Sequence, residues 1–444
     1  MHRRRILIVG AGLGGSLLAT FLARAGHQVL IVERRGDPRA KNYIGGRSIN
    51  LAISARGIHA LDRAGLTDEL LSQGIRMPGR MIHPIVGSPS FQPYSSDPGR
   101  AINSVSRSRL NLLLLNAACR EAGVEARFDM RCADVDLNAP AATFVRPDGS
   151  SERIEADLIV GADGAFSAVR AVMQRNERFD YSQSYLGHGY KELTIPARPD
   201  GSFAMERNAL HIWPRGGSMM IALPNPDGSF TCTLFWPWEG EGSFASLGDD
   251  AAVRSHFDRV YPDAAPLMPT LLEDFRTNPV GSLVTMRSNP WHLNGKVCLL
   301  GDAAHAIVPF YGQGANASFE DCEALVDSLA ACPKDQRAAL DRYQAMRIAN
   351  ADAIADMAIA NFVEMRDRTA SRAFKLRKRV EHTLHAMFPR SYLPLYDMVS
   401  FSTIPYAQAR ERARRQDRIA LAAAAAAGGG ILLAVLAGAY MMNG

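Results

Sequence analysis

The stretch "RILIVGAGLGGSLLATFLARAGHQVLIVER", residues 5–34, runs through an apolar segment, a glycine-rich turn, a helical pattern, a second apolar segment and an acid. Gly10, Gly12 and Gly15 take the G-x-G-x-x-G spacing directly after a strand-like run, and Glu33 closes the second run. This is the order of a βαβ dinucleotide-binding unit. In that reading Gly10 permits the tight turn, Gly12 admits a pyrophosphate, and Gly15 lets helix and strand approach closely. The helix N-terminus supplies free N–H groups and the positive end of its dipole. A carboxylate at Glu33 can accept from both ribose hydroxyls and repels a 2′-phosphate, which leaves FAD or NAD as the ligand.

Composition narrows the class. The chain has 444 residues, is 47% hydrophobic and carries a formal charge of +5. Such a length suggests two or three domains, and so small a charge excess gives no reason to expect a nucleic-acid partner. Six cysteines are scattered without a C-x-x-C pair, so neither structural zinc nor a disulfide framework is expected. The apolar run after the N-terminal arginines is too short for a signal peptide.

No second G-x-G-x-x-G follows downstream, so only one dinucleotide has a dedicated cradle. FAD gives a role to the segment that begins "KVCLLGDAAH" at residue 296. There a strand ends at Gly301-Asp302, placing an acid where it can bond the ribityl hydroxyls. "GQGANASFEDCEALVDSL", from 312, then reads as a glycine turn feeding a helix whose N-terminus faces the flavin. "ADLIVGADGAFSAVR" (156–170) adds a strand, Asp163-Gly164, and Arg170 one turn on.

Together these pieces resemble the FAD-dependent aromatic hydroxylases that have a single dinucleotide domain. More closely, "GRSINLAISARGIHAL" (46–61), "GRMIH" (79–83), "FQPY" (91–94), "HGYKEL" (188–193), "NALHIWPRG" (208–216), "IALPNPDGSFTCTLF" (221–235), "VPFYGQGANASFEDC" (308–322) and "MVSFSTIPYAQA" (398–409) resemble the kynurenine 3-monooxygenase family. The resemblance implies an α/β fold: a Rossmann-like FAD domain (1–65, 101–175 and 285–330), an antiparallel-sheet substrate domain (66–100 and 176–284) and a C-terminal helical cap (331–418). It also implies the reaction. NADPH reduces FAD transiently, O₂ forms a flavin C4a-hydroperoxide, and one oxygen passes to L-kynurenine ortho to its aniline nitrogen. A related flavin hydroxylase or reductase with another aromatic or isoprenoid substrate is the alternative.

The resemblance assigns residues as well. On the substrate side it implies Arg80 as the carboxylate-binding guanidinium, Tyr94 and Tyr396 as hydrogen-bond donors to the same carboxylate, and Asn361 at the amino-acid end. On the cofactor side it implies Gly10, Gly12, Gly15, Glu33, Arg34, Arg107, Asp163, Asp302, Ala315 and Asn316, with Arg47 near the flavin. Pro309, Phe310, Tyr311 and Gln313 form the expected gate beside the ring. No acid-base side chain and no metal are assigned; His305 reads as structural. Tyr311 stands where the family usually has Phe or His, and Ala315 where Met is common, which bears on ring positioning and coupling.

Residues 419–442 carry no charge and follow Arg410, Arg412, Arg414, Arg415 and Arg418. Their length suffices to span a bilayer, and the arginines would keep the body on the cytoplasmic side. The expectation is a tail anchor, with a soluble cytoplasmic protein as the alternative. Sequence gives no oligomeric state.

Overall fold

The computed structural model describes residues 3–40, 50–368, 380–381, 383–388 and 391–426. The chain divides into two compact units. The first comprises 1–72, 106–184 and 284–355; the second comprises 73–105, 185–283 and 356–444.

The first unit is built on a six-stranded sheet. β1 (Arg5–Val9) lies between β2 (Gln28–Val32) and the strand Leu158–Gly161. Val124–Arg127 extends the sheet beyond β2, and Val297–Leu299 extends it beyond Leu158–Gly161, all parallel. The short strand His292–Leu293 adds an antiparallel edge. Ile6, Leu7, Ile8 and Val9 are all buried, as expected of a strand covered on both faces. Helix α1 (Leu13–Arg24) connects β1 to β2 and packs against the helices Arg107–Arg120 and Gly314–Ala331. Close approach is essential at its start. A Cβ on Gly15 would lie 2.1 Å from the Gly10 carbonyl oxygen, and Gly10 itself has φ +111°.

The second unit is organised on a seven-stranded sheet, in the order Gly281–Asn289, Asp180–Ile195, Phe230–Pro237, Met219–Pro224, Ala209–Pro214, Gly79–Ile82 and Ser90–Pro93. Helices Asp250–Val260 and Leu271–Thr277 cover one face, burying Trp213, Trp236, Phe257 and Tyr261. The expected all-antiparallel sheet needs one correction: Gly79–Ile82 pairs with Ala209–Pro214 in parallel. A hairpin would force antiparallel pairing, but a long stretch of chain separates these strands and leaves either direction open.

Helices Gln336–Val363, Leu395–Ser400 and Tyr406–Ala426 account for most of the described residues of the C-terminal region. Among the described residues no helix is long and apolar enough to cross a membrane. Of the expected tail anchor, 419–442, residues 427–442 lie outside the described residues.

Candidate active site

In the first unit the turn after β1 is open where a phosphate is expected. Nothing lies within 4 Å of the position a Gly12 Cβ would take. Glu33 is buried at the end of β2 and braces this turn, its Oε2 accepting from the Ala11 N–H at 2.9 Å and its Oε1 from the Arg35 N–H at 3.0 Å. Arg35 Nε also donates to Oε1 at 3.1 Å, so the carboxylate holds the loop and keeps one lone pair, on Oε2. Arg34 and Arg107 are exposed, and Arg47 lies outside the described residues.

The second group of cofactor candidates is spread over the loops after strands Leu158–Gly161 and Val297–Leu299 and the start of helix Gly314–Ala331. Asp302 opens the short helix Asp302–His305 and is half-buried. Asp163 Oδ2 accepts from the Ala168 and Val169 N–H groups at 2.7 and 3.3 Å, so that oxygen caps helix Ala168–Met173. Asn316 is fully buried and spends its amide on the protein. Its Oδ1 accepts from the Ser54 and Gly57 N–H groups at 3.0 and 3.1 Å, and its Nδ2 donates to the Ala52 and Gly312 carbonyls at 2.9 and 2.7 Å. With these four bonds its side chain has no further donor, so a cofactor contact there falls to its main chain. Ala315, beside it, is half-buried. Of the expected gate residues, Phe310, Tyr311 and Gln313 are buried and only Pro309 is exposed.

His305 belongs to a buried ionic chain. Its ring stacks on Trp291 with centroids 4.9 Å apart, and its Nε2 lies 2.5 Å from Asp321 Oδ2. Arg347 Nε donates to Asp321 Oδ1 at 2.6 Å, and its Nη1 donates to Glu320, which also accepts from Arg56 Nη1 at 2.5 Å. Burial alone would raise the Asp321 pKa, but the charges and bonds of His305 and Arg347 outweigh it and hold the group at about 2.

The substrate candidates lie in the second unit. Arg80, on strand Gly79–Ile82, is opposite Leu210 on one side and Gln92 on the other. The Tyr94 N–H donates to the Pro78 carbonyl at 3.0 Å, which closes this hairpin and sets Tyr94 beside Arg80. Tyr94 and Tyr396 stack with centroids 5.1 Å apart and planes 15° from parallel. The Arg80 guanidinium lies 5.6 Å from each ring centre. Arg80 is 7% exposed, its Nε makes no hydrogen bond, and no described carboxylate pairs with it. A buried cation left in this state favours an anionic ligand. Asn361, on helix Gln336–Val363, is half-buried with its Nδ2 3.3 Å from Met365 Sδ.

Comparison with known proteins fits this arrangement. A family described as an FAD binding domain matches residues 3–358. Kynurenine 3-monooxygenase from Myxococcus xanthus is 50% identical over 416 residues, which is 93% of this chain and 89% of that protein. The chain belongs to the kynurenine 3-monooxygenase family. The Dictyostelium discoideum kynurenine 3-monooxygenase is 48% identical over 91% of this chain and 90% of its own length. Among solved structures, 2-methyl-3-hydroxypyridine-5-carboxylic acid oxygenase superposes with a TM-score of 0.68 at 21% identity, covering 88% of this chain and 99% of the other. Pseudomonas aeruginosa PqsL, solved with 2-aminobenzoylacetate, gives 0.65 at 24% identity over 83% and 98%. Both likenesses concern the fold.

As a kynurenine 3-monooxygenase family member the chain uses FAD, and its residues fit that cofactor. Gly12 leaves the space a pyrophosphate needs, and neither α1 nor helix Gly314–Ala331 has an acid in its first turn to oppose an anion. Arg170, which the sequence places one turn beyond Asp163-Gly164, proves central to the framework. Arg170 Nη1 and Nη2 donate to the Ala303 and Ala165 carbonyls at 2.8 and 2.6 Å, tying the loop after Asp163 to the one after Asp302. Its partners are main-chain carbonyls, which leave no mark in the side-chain sequence.

Proposed function

We propose that this chain is a flavin-dependent monooxygenase that hydroxylates L-kynurenine to 3-hydroxykynurenine with NADPH and O₂. The observation that carries this reading is the buried guanidinium of Arg80, which no described carboxylate pairs, beside two stacked tyrosines. FAD, when bound, would supply the redox chemistry that links NADPH and O₂ to hydroxylation of the ring.

The residues of the chain bind and orient. Arg80 offers its planar fork to the substrate's α-carboxylate, and the charge-assisted pair satisfies a cation that the fold otherwise leaves buried. Burial pushes the Tyr94 phenol up to about 12 despite the nearby Arg80 charge, so it keeps its proton at neutral pH and donates to that carboxylate. Asn361 holds the amino-acid end. In the first unit, Gly10, Gly12, Gly15, Glu33, Arg34 and Arg107 hold the nucleotide half of FAD, while Asp163, Asp302, Ala315 and Asn316 shape the flavin half. Buried Phe310, Tyr311 and Gln313 exclude water there. This assigns the FAD domain to 1–65, 101–175 and 285–330, the substrate domain to 66–100 and 176–284, and the helical cap to 331–418. The aniline nitrogen already activates its ortho carbon, so no side chain need act as base, in keeping with His305 being held by Asp321.

The test is NADPH oxidation by the FAD-loaded protein with and without L-kynurenine, with product mass and H₂O₂ followed together. A stimulated rate and a product one oxygen heavier support the reading. Stimulation that yields only H₂O₂ overturns it. The uncharged run 419–442 after its arginines supports a membrane anchor on the cytoplasmic side. Membrane fractionation of the full chain against a version ending at 418 checks it, and equal partitioning of the two refutes it.

A further inference from the structure

Tyr94 and Tyr396 are each followed by a residue that reaches across to the other's segment. Ser95 Oγ donates to Asp397 Oδ1 at 2.6 Å, one position beyond the stacked rings in both segments. Arg100 Nη1 donates to the same oxygen at 2.5 Å. Asp397 is 2% exposed and Ser95 5%, so the bond between them is shielded from water, while Arg100 is half-buried.

The loop that presents Ser95 and Arg100 is braced from within. The Asp97 N–H donates to Ser95 Oγ at 3.3 Å, and the Gly99 N–H to Asp97 Oδ1 at 2.8 Å. Arg100 also lies over the Phe401 ring, which meets Tyr396 edge-on with centroids 6.0 Å apart. On the other side, Gln416 of helix Tyr406–Ala426 grips the peptide of Leu393: its Nε2 donates to the Leu393 carbonyl at 2.8 Å and its Oε1 accepts the Leu393 N–H at 3.2 Å.

Helix Leu395–Ser400 has six residues, too few to form or hold a direction by itself. Its placement, and with it the reach of Tyr396, depends on outside attachments. We propose that Asp397 is a positioning residue that seats this helix against the Tyr94 segment and so sets the Tyr396 phenol beside Arg80, preparing the cage for the substrate's α-carboxylate. The proposal rests on the reading of that cage as the carboxylate site. A misplacement of about 1 Å in such a site is enough to cost most of its hydrogen bonding, which makes one buried carboxylate with two donors a sensitive control point.

The experiment uses the FAD-loaded full chain and two ligands measured by calorimetry: L-kynurenine, and kynuramine, which keeps ring, ketone and amine but lacks the α-carboxylate. Asp397→Asn keeps the shape and removes the charge. It is expected to weaken L-kynurenine by about 10-fold or more and kynuramine by less than about twofold, and to raise KM while leaving kcat within about twofold. A general loosening of the fold weakens both ligands alike. Equal losses, or unchanged kynurenine affinity in a wild type that binds it, overturn the positioning role. Should Asp397→Asn fail to fold, Ser95→Ala carries the same comparison, with a kynurenine-only loss of about threefold expected and equal losses overturning the proposal. A wild type that binds no kynurenine overturns the substrate reading itself.

Discussion

His83 Nε2 and His211 Nδ1 lie 2.8 Å apart, and the groups on either side fix the direction of the hydrogen bond between them. His211 Nε2 is 2.8 Å from the Glu206 carbonyl, which can only accept, so His211 carries its proton there and accepts from His83 at Nδ1. His83 Nδ1 is 2.6 Å from Asp263 Oδ2. Burial raises the Asp263 pKa, but the bond and charge of His83 and the Trp213 indole outweigh it, and the carboxyl sits below its ordinary value. His83 thus lies between the His211 ring and the Asp263 carboxylate. It directly follows the strand that carries Arg80, and its N–H bonds the Ile212 carbonyl at 2.9 Å.

Acid destabilisation follows from the same chain of bonds. Burial holds His211 at about 4 against an ordinary 6.5. The unfolded chain takes up this proton first, so the contribution is complete above about pH 6.5 and is lost as the pH falls toward 4. It amounts to about 3 kcal/mol over that window. Urea unfolding at several pH values should show a shallower acid slope for His211→Gln than for wild type. Equal slopes would sink this account.

Arg80→Lys should keep the flavin absorbance spectrum yet weaken L-kynurenine binding by about 10- to 100-fold, since an ammonium cannot reproduce a bidentate fork. Calorimetry reads the affinity. Retained affinity would remove Arg80 from the carboxylate site.

Gly12→Ala and Gly15→Ala should part company. An added methyl at Gly12 meets nothing in the protein, so the apo chain should keep its melting temperature while FAD binding weakens. At Gly15 the methyl meets the Gly10 carbonyl oxygen, so the apo chain itself should lose stability. Thermal unfolding of apo protein and flavin fluorescence titration separate the two. Equal melting losses would refute the distinction.

Asp321→Asn should destabilise the fold by about 3 to 5 kcal/mol, because it removes the fully buried carboxylate that Arg347 Nε and His305 share and leaves Arg347 only Glu320 as a charged partner. Denaturant unfolding measures this. A loss below about 1 kcal/mol would mean that Glu320 alone suffices to hold Arg347.

Much of the first unit was legible because its signals are local. The β1-α1-β2 order, the glycine spacing and Glu33 all fall within one short stretch, and the strand ending before Gly301 announces itself by its apolar run. The gathering of Arg80, Tyr94 and Tyr396 was legible only through the family resemblance, since nothing near Arg80 distinguishes it from the chain's other arginines. Other features were hidden for physical reasons. Asn316 and Arg170 stood out in their motifs, but their partners did not, because they are main-chain groups, which every residue possesses. Asp397 and Ser95 are linked across 302 positions by chain topology alone. The parallel pairing of Gly79–Ile82 likewise depends on how the chain returns, which periodicity cannot report.

The strand order of the first unit also bears on how the protein is made. β1 and β2 leave the ribosome early and can pair at once. The strand Leu158–Gly161 joins β1 later, and its other edge is satisfied only by Val297–Leu299, after most of the second unit's sheet has been synthesised. A nascent chain thus carries an uncovered, wholly apolar strand edge through a long interval of translation. Such late, long-range closure slows folding and exposes surface that invites aggregation. Yield in a foreign host should accordingly respond to chaperone supply and growth temperature more than to any change at the active site.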